Sequence, residues 1–259
     1  MCAGDSFGIP RLGEIEDVAE ITPEGLTEHY REILRTSPVE LLYVGSASQE
    51  QVISTIRPLL DALERAPMIL PPQTAFAPGQ GSDITETLDV AQGKLVMGLP
   101  TPGTNRCKEL PAMQMLNVIF GGGMTSKLFQ NVREKMSLCY SIDSAFYGTK
   151  GILLVNAGID FDREAITRQE ILRQLQACRD GEISQGEMTA AREALLSSLR
   201  SVQDSPGSIE NFYSTAALSG LAFSREGYME AVEKVTLADV VKCANAVQLN
   251  STCFLKGGK

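Results

Sequence analysis

The stretch most able to do chemistry is FGGGMTSKLFQNVREKMSLCYSIDSAFYG, residues 120–148. Gly121, Gly122 and Gly123 give a backbone that can pass close to another chain. The segment after them predicts a short helix presenting Lys127, Gln130 and Arg133 at about one-turn spacing. A strand follows within a few residues and carries Tyr140. An arginine at a helix end and a tyrosine on the next strand can point into one cleft. The guanidinium would offer several donors to peptide carbonyls. The phenol could donate to a developing oxyanion. The same spacing also fits a flexible loop, a surface arginine and a core tyrosine.

Other chemistries have little material. The six cysteines, Cys2, Cys107, Cys139, Cys178, Cys243 and Cys253, form no Cys-x-x-Cys pair. That scatter reads as reduced, mostly buried thiols and excludes a zinc ribbon. His29 is the only histidine, so a Ser-His-Asp triad or a multi-histidine metal site could be built only around it. No Gly-x-Gly-x-x-Gly is present, and Gly121–Gly123 lack the strand that a phosphate loop needs immediately before it. The net charge of −9 repels phosphate backbones, so no nucleic-acid partner is expected. No run approaches the roughly 20 apolar residues that cross a bilayer, so no membrane partner is expected. The start, MCAGDSFGIPRLGEIED, has neither a basic beginning nor an apolar core. The expected location is the cytoplasm.

The elements that must position Arg133 and Tyr140 follow from patterning. Thr22-Pro23-Glu24 opens a helix running to about residue 36. Residues 39–44 (VELLYV) read as a buried strand ended by Gly45. A second helix, capped by Ser48, reaches about residue 64, with Pro58 expected to kink it or end it early. Residues 66–82, rich in Pro and Gly, are the best linker. Strand-like runs at 83–90 and 93–99 flank the turn Ala91-Gln92-Gly93. A helix over 107–120 precedes the glycines, and the short helix covers 126–135. Strands at 138–147 and 151–159 are joined hairpin-fashion by Gly148-Thr149-Lys150. A helix over 162–179 lines up Ile171, Leu172, Leu175 and Cys178, and Asp180-Gly181 stops it. Ser184 and Glu187 form a capping box for the next helix, which Asp204-Ser205-Pro206 breaks. Three shorter helices and a strand at 251–255 complete the pattern. Strand pairs followed by helix runs predict an α+β fold: a two-layer antiparallel sheet with helices on one face.

A repeat lies within this pattern. Thr22 opens a helix that leads to VELLYVG, and Thr236 opens one that leads to STCFLKG. If that motif closes a domain near residue 259, it should close one near residue 45 too. The expected division is therefore residues 1–66 as the tail of a first domain, 67–82 as linker and 83–259 as a complete second domain. A helix–strand–helix tail alone leaves an unpaired strand and an uncovered apolar face.

The 120–148 stretch resembles the second-domain signature of the pitrilysin (insulinase-like) metallopeptidases, which include the processing peptidases. The matching positions are Gly121, Gly122, Gly123, Ser126, Lys127, Leu128, Phe129, Arg133, Glu134, Lys135, Leu138, Tyr140 and Ser141. GIPRLGEIEDV, ITPEGLTEHY and VELLYVGSASQEQV resemble the close of that family's first domain, so the likeness covers nearly the whole chain. It implies two similar α+β domains in tandem. It implies that Arg133 and Tyr140 bind the backbone of a peptide substrate across a central cavity, and that Gly121, Gly122 and Gly123 line that cavity.

The family's catalytic signature, His-x-x-Glu-His on a helix, is missing. His29-Tyr30-Arg31-Glu32-Ile33 has isoleucine where a second histidine would stand, so His29 reads as a helix-surface or satisfied core residue. No catalytic residue, metal ligand or cofactor is therefore expected in this chain. It is not expected to be a self-sufficient peptidase. The resemblance implies zinc only in a missing N-terminal half or in a zinc-bearing partner subunit, which would make a heterodimer. GKLVMGL, KGILLVNAGID and CFLKG resemble the bacterial zinc-less partner subunits. A fragment of an active peptidase and a purely scaffolding subunit are the alternatives.

Overall fold

The computed structural model describes residues 1–2, 4–69 and 79–258. The chain forms two units. One comprises Cys2–Pro72 with Val202–Ala216, and the other comprises Met1, Gln73–Ser201 and Ala217–Lys259. The middle of the expected linker, residues 70–78, lies outside the described residues.

The first unit holds α1 (Ile15–Glu20), α2 (Pro23–Thr36) and α3 (Gln49–Asp61). Thr22 caps α2, its hydroxyl oxygen accepting from Gly25 N at 3.1 Å. Ser48 and Gln51 form a capping box on α3. Pro58 stays inside α3, which ends at Asp61. None of these helices buries a residue. Leu26, Tyr30 and Ile33 make an exposed apolar stripe at helical spacing along α2. The strand expected at 39–44 is not formed: those residues have no ladder partner, and Val39, Leu41, Tyr43 and Val44 are exposed. A strand exists only when a neighbour takes its backbone donors and acceptors, and among the described residues 39–44 have no such neighbour.

The second unit is an α+β domain around one five-stranded sheet, with strand order β1-β5-β2-β4-β3. The strands are β1 (Asp83–Leu88), β2 (Gly93–Pro100), β3 (Ser141–Tyr147), β4 (Ile152–Ile159) and β5 (Ser251–Gly257). Three ladders are antiparallel, as expected, but β1 pairs β5 in parallel. The first two strands therefore do not adjoin. The strand latest in the chain enters between them, and the crossover that a parallel pair requires is the whole intervening layer.

Alternation sets the faces of the sheet. Leu95, Met97 and Leu99 of β2, with Leu153, Val155 and Ala157 of β4, point into the core. Lys94, Ser141 and Asp143 lie exposed on the other face. The helical layer consists of α4 (Leu110–Phe120), α5 (Glu164–Arg179), α6 (Gln185–Ser201), α8 (Arg225–Lys234) and α9 (Leu237–Ala246). The helix α7 (Pro206–Ser219) spans the boundary between the units. Most of α4 is buried, including Met113, Met115, Leu116 and Phe120, and it touches α5, α6, α8, α9 and β3. Each such side chain contributes about 1.5–3 kcal/mol of burial.

The second half of the repeat is built as expected. Thr236 and Asp239 form a reciprocal capping box on α9, with Asp239 Oδ2 accepting from Thr236 N at 2.9 Å and Oγ1 at 2.6 Å. Those bonds hold the Asp239 carboxyl below its usual range. The box therefore stabilises above that range and is lost as pH falls through it. Thr236→Ala is expected to lower stability by about 1 kcal/mol at neutral pH and by less in acid, measured by urea unfolding.

Candidate functional site

Arg133 and Tyr140 are positioned by a turn between a π-helix and a strand. The segment Leu128–Lys135 is π-helical, with Met136 N donating to Asn131 O at 3.1 Å. Leu128 and Val132 are its core-facing residues. Its start is fixed by Lys127, which is 8% exposed. The ammonium lies 2.9 Å from Glu187 Oε1 and 2.5 Å from Glu182 O. Its middle is tied to α5, where Asn131 Nδ2 donates to Gln174 Oε1 at 2.9 Å. After Ser137, whose φ is +49°, the chain reverses. Tyr140 N then donates to Gly158 O at 2.8 Å at the start of the β3–β4 pairing. π-helical turns are rare and gather at functional sites.

The outcome is an open cleft of about 420 Å³ lined by Arg133, Glu134, Ser137, Cys139, Tyr140 and Asp160, with Leu138 beneath. The Arg133 guanidinium stacks over the Phe129 ring at 4.6 Å, which holds the cation without consuming its donors. Glu134 Oε1 is 3.7 Å away, but both groups are exposed, so that pair contributes little. Tyr140 is 61% exposed, and its hydroxyl donates to Asp160 Oδ1 at 2.6 Å. That bond and the Asp160 charge push the phenol above its ordinary value, so it stays protonated. Burial pushes the Cys139 thiol up to about 11, against the pull of Arg133, which rules out a thiolate nucleophile at neutral pH. The cleft thus offers hydrogen-bond donors from Arg133 and oxygen atoms from Tyr140 and Asp160. It can hold a polar chain, but it contains no activated nucleophile.

The glycines are placed elsewhere. None lines the cleft. Gly121 is buried where α4 meets β3, its carbonyl accepting from Ser144 N at 3.0 Å. Gly122 packs on Val118, and Gly123 is open to solvent. Lys127 and Gln130 also stay out of the cleft, since Gln130 Nε2 donates to Met124 O at 2.7 Å. Sequence reasoning missed Asp160 and Phe129. The hairpin register held the clue: Ser141 pairs with Gly158, so Tyr140 falls opposite the end of β4, beside Asp160.

Among the described residues, no group of three or more His, Cys, Asp or Glu side chains is placed to hold a metal ion. His29 lies exposed on α2. Among the described residues, no helix is long and apolar enough to cross a membrane.

Comparison with known proteins bears on the family and the fold. The chain is 32% identical over 257 residues to the "Probable inactive metalloprotease YmfF" of Bacillus subtilis (strain 168), covering 99% of this chain and 60% of that protein. A conserved protein from Enterococcus faecalis V583 has a similar structure at 26% identity with a TM-score of 0.82, covering 96% of this chain and 59% of that one. A peptidase M16 inactive domain from Pseudomonas fluorescens matches in fold at 18% identity with a TM-score of 0.75, over 95% of this chain and 60% of that one. The chain thus spans about six-tenths of the length of these relatives. The profile described as the peptidase M16 inactive domain matches residues 20–195, and on that match the chain belongs to the peptidase M16 family through its inactive domain.

Proposed function

We propose that this chain is the non-catalytic part of an insulinase-family peptidase homologue. In this reading it contributes backbone contacts to a peptide substrate in a chamber whose zinc site lies in another segment or subunit. The observation that carries the reading is the convergence of Arg133 and Tyr140 on one open cleft. A guanidinium held by ring stacking keeps its donors for carbonyl oxygens of a guest chain. The name of the Bacillus subtilis relative, "Probable inactive metalloprotease YmfF", supports the zinc-less version.

Residues 1–66 would then be the close of a first domain, completed by strands of the zinc-bearing half. The exposed stripe on α2 and the unpaired 39–44 segment support that division.

The test is cleavage of a quenched fluorescent peptide by the zinc-bearing partner with and without this chain. Arg133→Ala is expected to lower the stimulated rate about tenfold, the effect of about 1.4 kcal/mol. Tyr140→Phe is expected to lower it several-fold. Stable assembly with no dependence on either residue would reject the contact role and favour a scaffold.

A further inference from the structure

The Tyr140 hydroxyl has a single proton, and in this structure that proton is engaged. Oη donates to Asp160 Oδ1 at 2.6 Å. Asp160 is exposed, and no ammonium or guanidinium pairs with it among the described residues. Its carboxylate is therefore free to hold the phenol proton. A phenol that donates to a carboxylate turns only lone pairs outward, and the bond polarises the oxygen into a better acceptor. Another part of the cleft lining is of the other kind. Arg133 carries donors only, and its neighbour Glu134 stands 3.7 Å away in an exposed pair. Cys139, the remaining titratable group lining the cleft, is a protonated thiol.

We propose that Asp160 is a positioning residue that fixes Tyr140 as a hydrogen-bond acceptor, so that the cleft reads a peptide group as a pair: its carbonyl towards Arg133 and its N–H towards Tyr140. This deepens the reading that the cleft holds a polypeptide guest, and it rests on that reading. The role differs from oxyanion donation, which the spacing of Arg133 and Tyr140 also allowed, because the proton needed for donation is already committed. Since the donor and the acceptor sit on different segments, the π-helix and the residue that precedes β3, the guest is held in one chain direction.

The test uses the full chain and short fluorescein-labelled Gly/Ser/Ala peptides, each compared with analogues in which one backbone N–H is replaced by an ester oxygen. Fluorescence anisotropy gives the affinities. In the natural protein, one ester position is expected to weaken binding about fivefold, the effect of one lost N–H···O bond. Tyr140→Phe should remove that penalty. Asp160→Ala should reduce it to less than half, with the thermal midpoint unchanged because Asp160 is exposed. Arg133→Ala should weaken peptide and ester alike. The Tyr140 phenol, followed by NMR of labelled tyrosine, should ionise at lower pH in Asp160→Ala. An undiminished ester penalty in Asp160→Ala, or a phenol that titrates identically with and without Asp160, overturns the proposal and leaves the Arg133 contact standing. No effect of Arg133→Ala on any peptide overturns the functional reading itself.

Discussion

Gly121→Ala and Gly122→Ala are expected to lower the stability of the sheet unit by about 2–3 kcal/mol each, while Gly123→Ala changes it by less than about 0.5 kcal/mol. A Cβ on Gly121 would stand 2.6 Å from Ser144 Oγ and 2.8 Å from Leu128 Cδ1. Neither neighbour can retreat. Ser144 Oγ donates to Asn117 Oδ1 at 2.8 Å, so turning it away breaks a partly buried hydrogen bond. Leu128 is fully buried, and interiors packed at this density have no room for a displaced methyl. On Gly122 the added carbon would meet Val118 Cα at 2.8 Å and Asn117 O at 3.1 Å, and these are backbone atoms of α4. On Gly123 it would meet nothing within 4 Å. Urea unfolding of the three variants checks the order. Equal losses at all three positions would refute close approach as the reason for the run. Peptide affinity measured on Gly123→Ala then isolates any contact role of this segment from its packing.

Lys127→Ala is expected to cost about 3 kcal/mol, comparable with breaking other partly buried ion pairs. It strips the cation from Glu187 and the donor from Glu182 O. Burial pushes the Glu187 carboxyl up, but Lys127 and the two Ser184 bonds outweigh it and hold it below the usual range. A carboxyl depressed in the folded state contributes stability that is fully present above its unfolded value and is lost as pH falls through the folded one. In Lys127→Ala, burial is opposed only by Ser184, so the depression shrinks and with it the loss of stability on acidification. Urea midpoints at neutral pH and in acid measure both effects. Parallel loss in the two proteins would show that Lys127 does not set the Glu187 charge. Glu187 also caps α6, through Ser184 N at 2.8 Å, so one carboxylate joins the start of α6 to the start of the π-helix that carries Arg133.

What could be read in the residues was local. Ser184-x-x-Glu187, Thr22 and Thr236 state their own caps, because a short side chain reaching its own helix needs no distant partner. The 138–147 and 151–159 strands were legible because a three-residue connection brings them together. Pairings set by remote segments were not legible. Nothing near residue 83 announces that its neighbour is β5, and nothing in VELLYV says whether another strand is available to it. The site followed the same division. Arg133 and Tyr140 lie close in sequence and were visible, and the family resemblance rests on the longer motif that contains them. Asp160 comes from beyond the hairpin, and only counting its register places it at the phenol. Lys127 looked like a companion of Arg133 by spacing, but its burial against Glu187 makes it part of the scaffold.

The place of β5 between β1 and β2 has a consequence for the order of synthesis. Asp83 pairs with Thr252, and Lys94 pairs with Leu255, so two early strands share a late one. A ribosome releases β1, β2, the hairpin and the helices before the strand that unites them emerges. Until then β1 has no ladder at all, while β2 is zipped on one side only. The nascent chain must therefore keep an open sheet edge shielded from the synthesis of β2 until β5 emerges, and β5 acts as the latch.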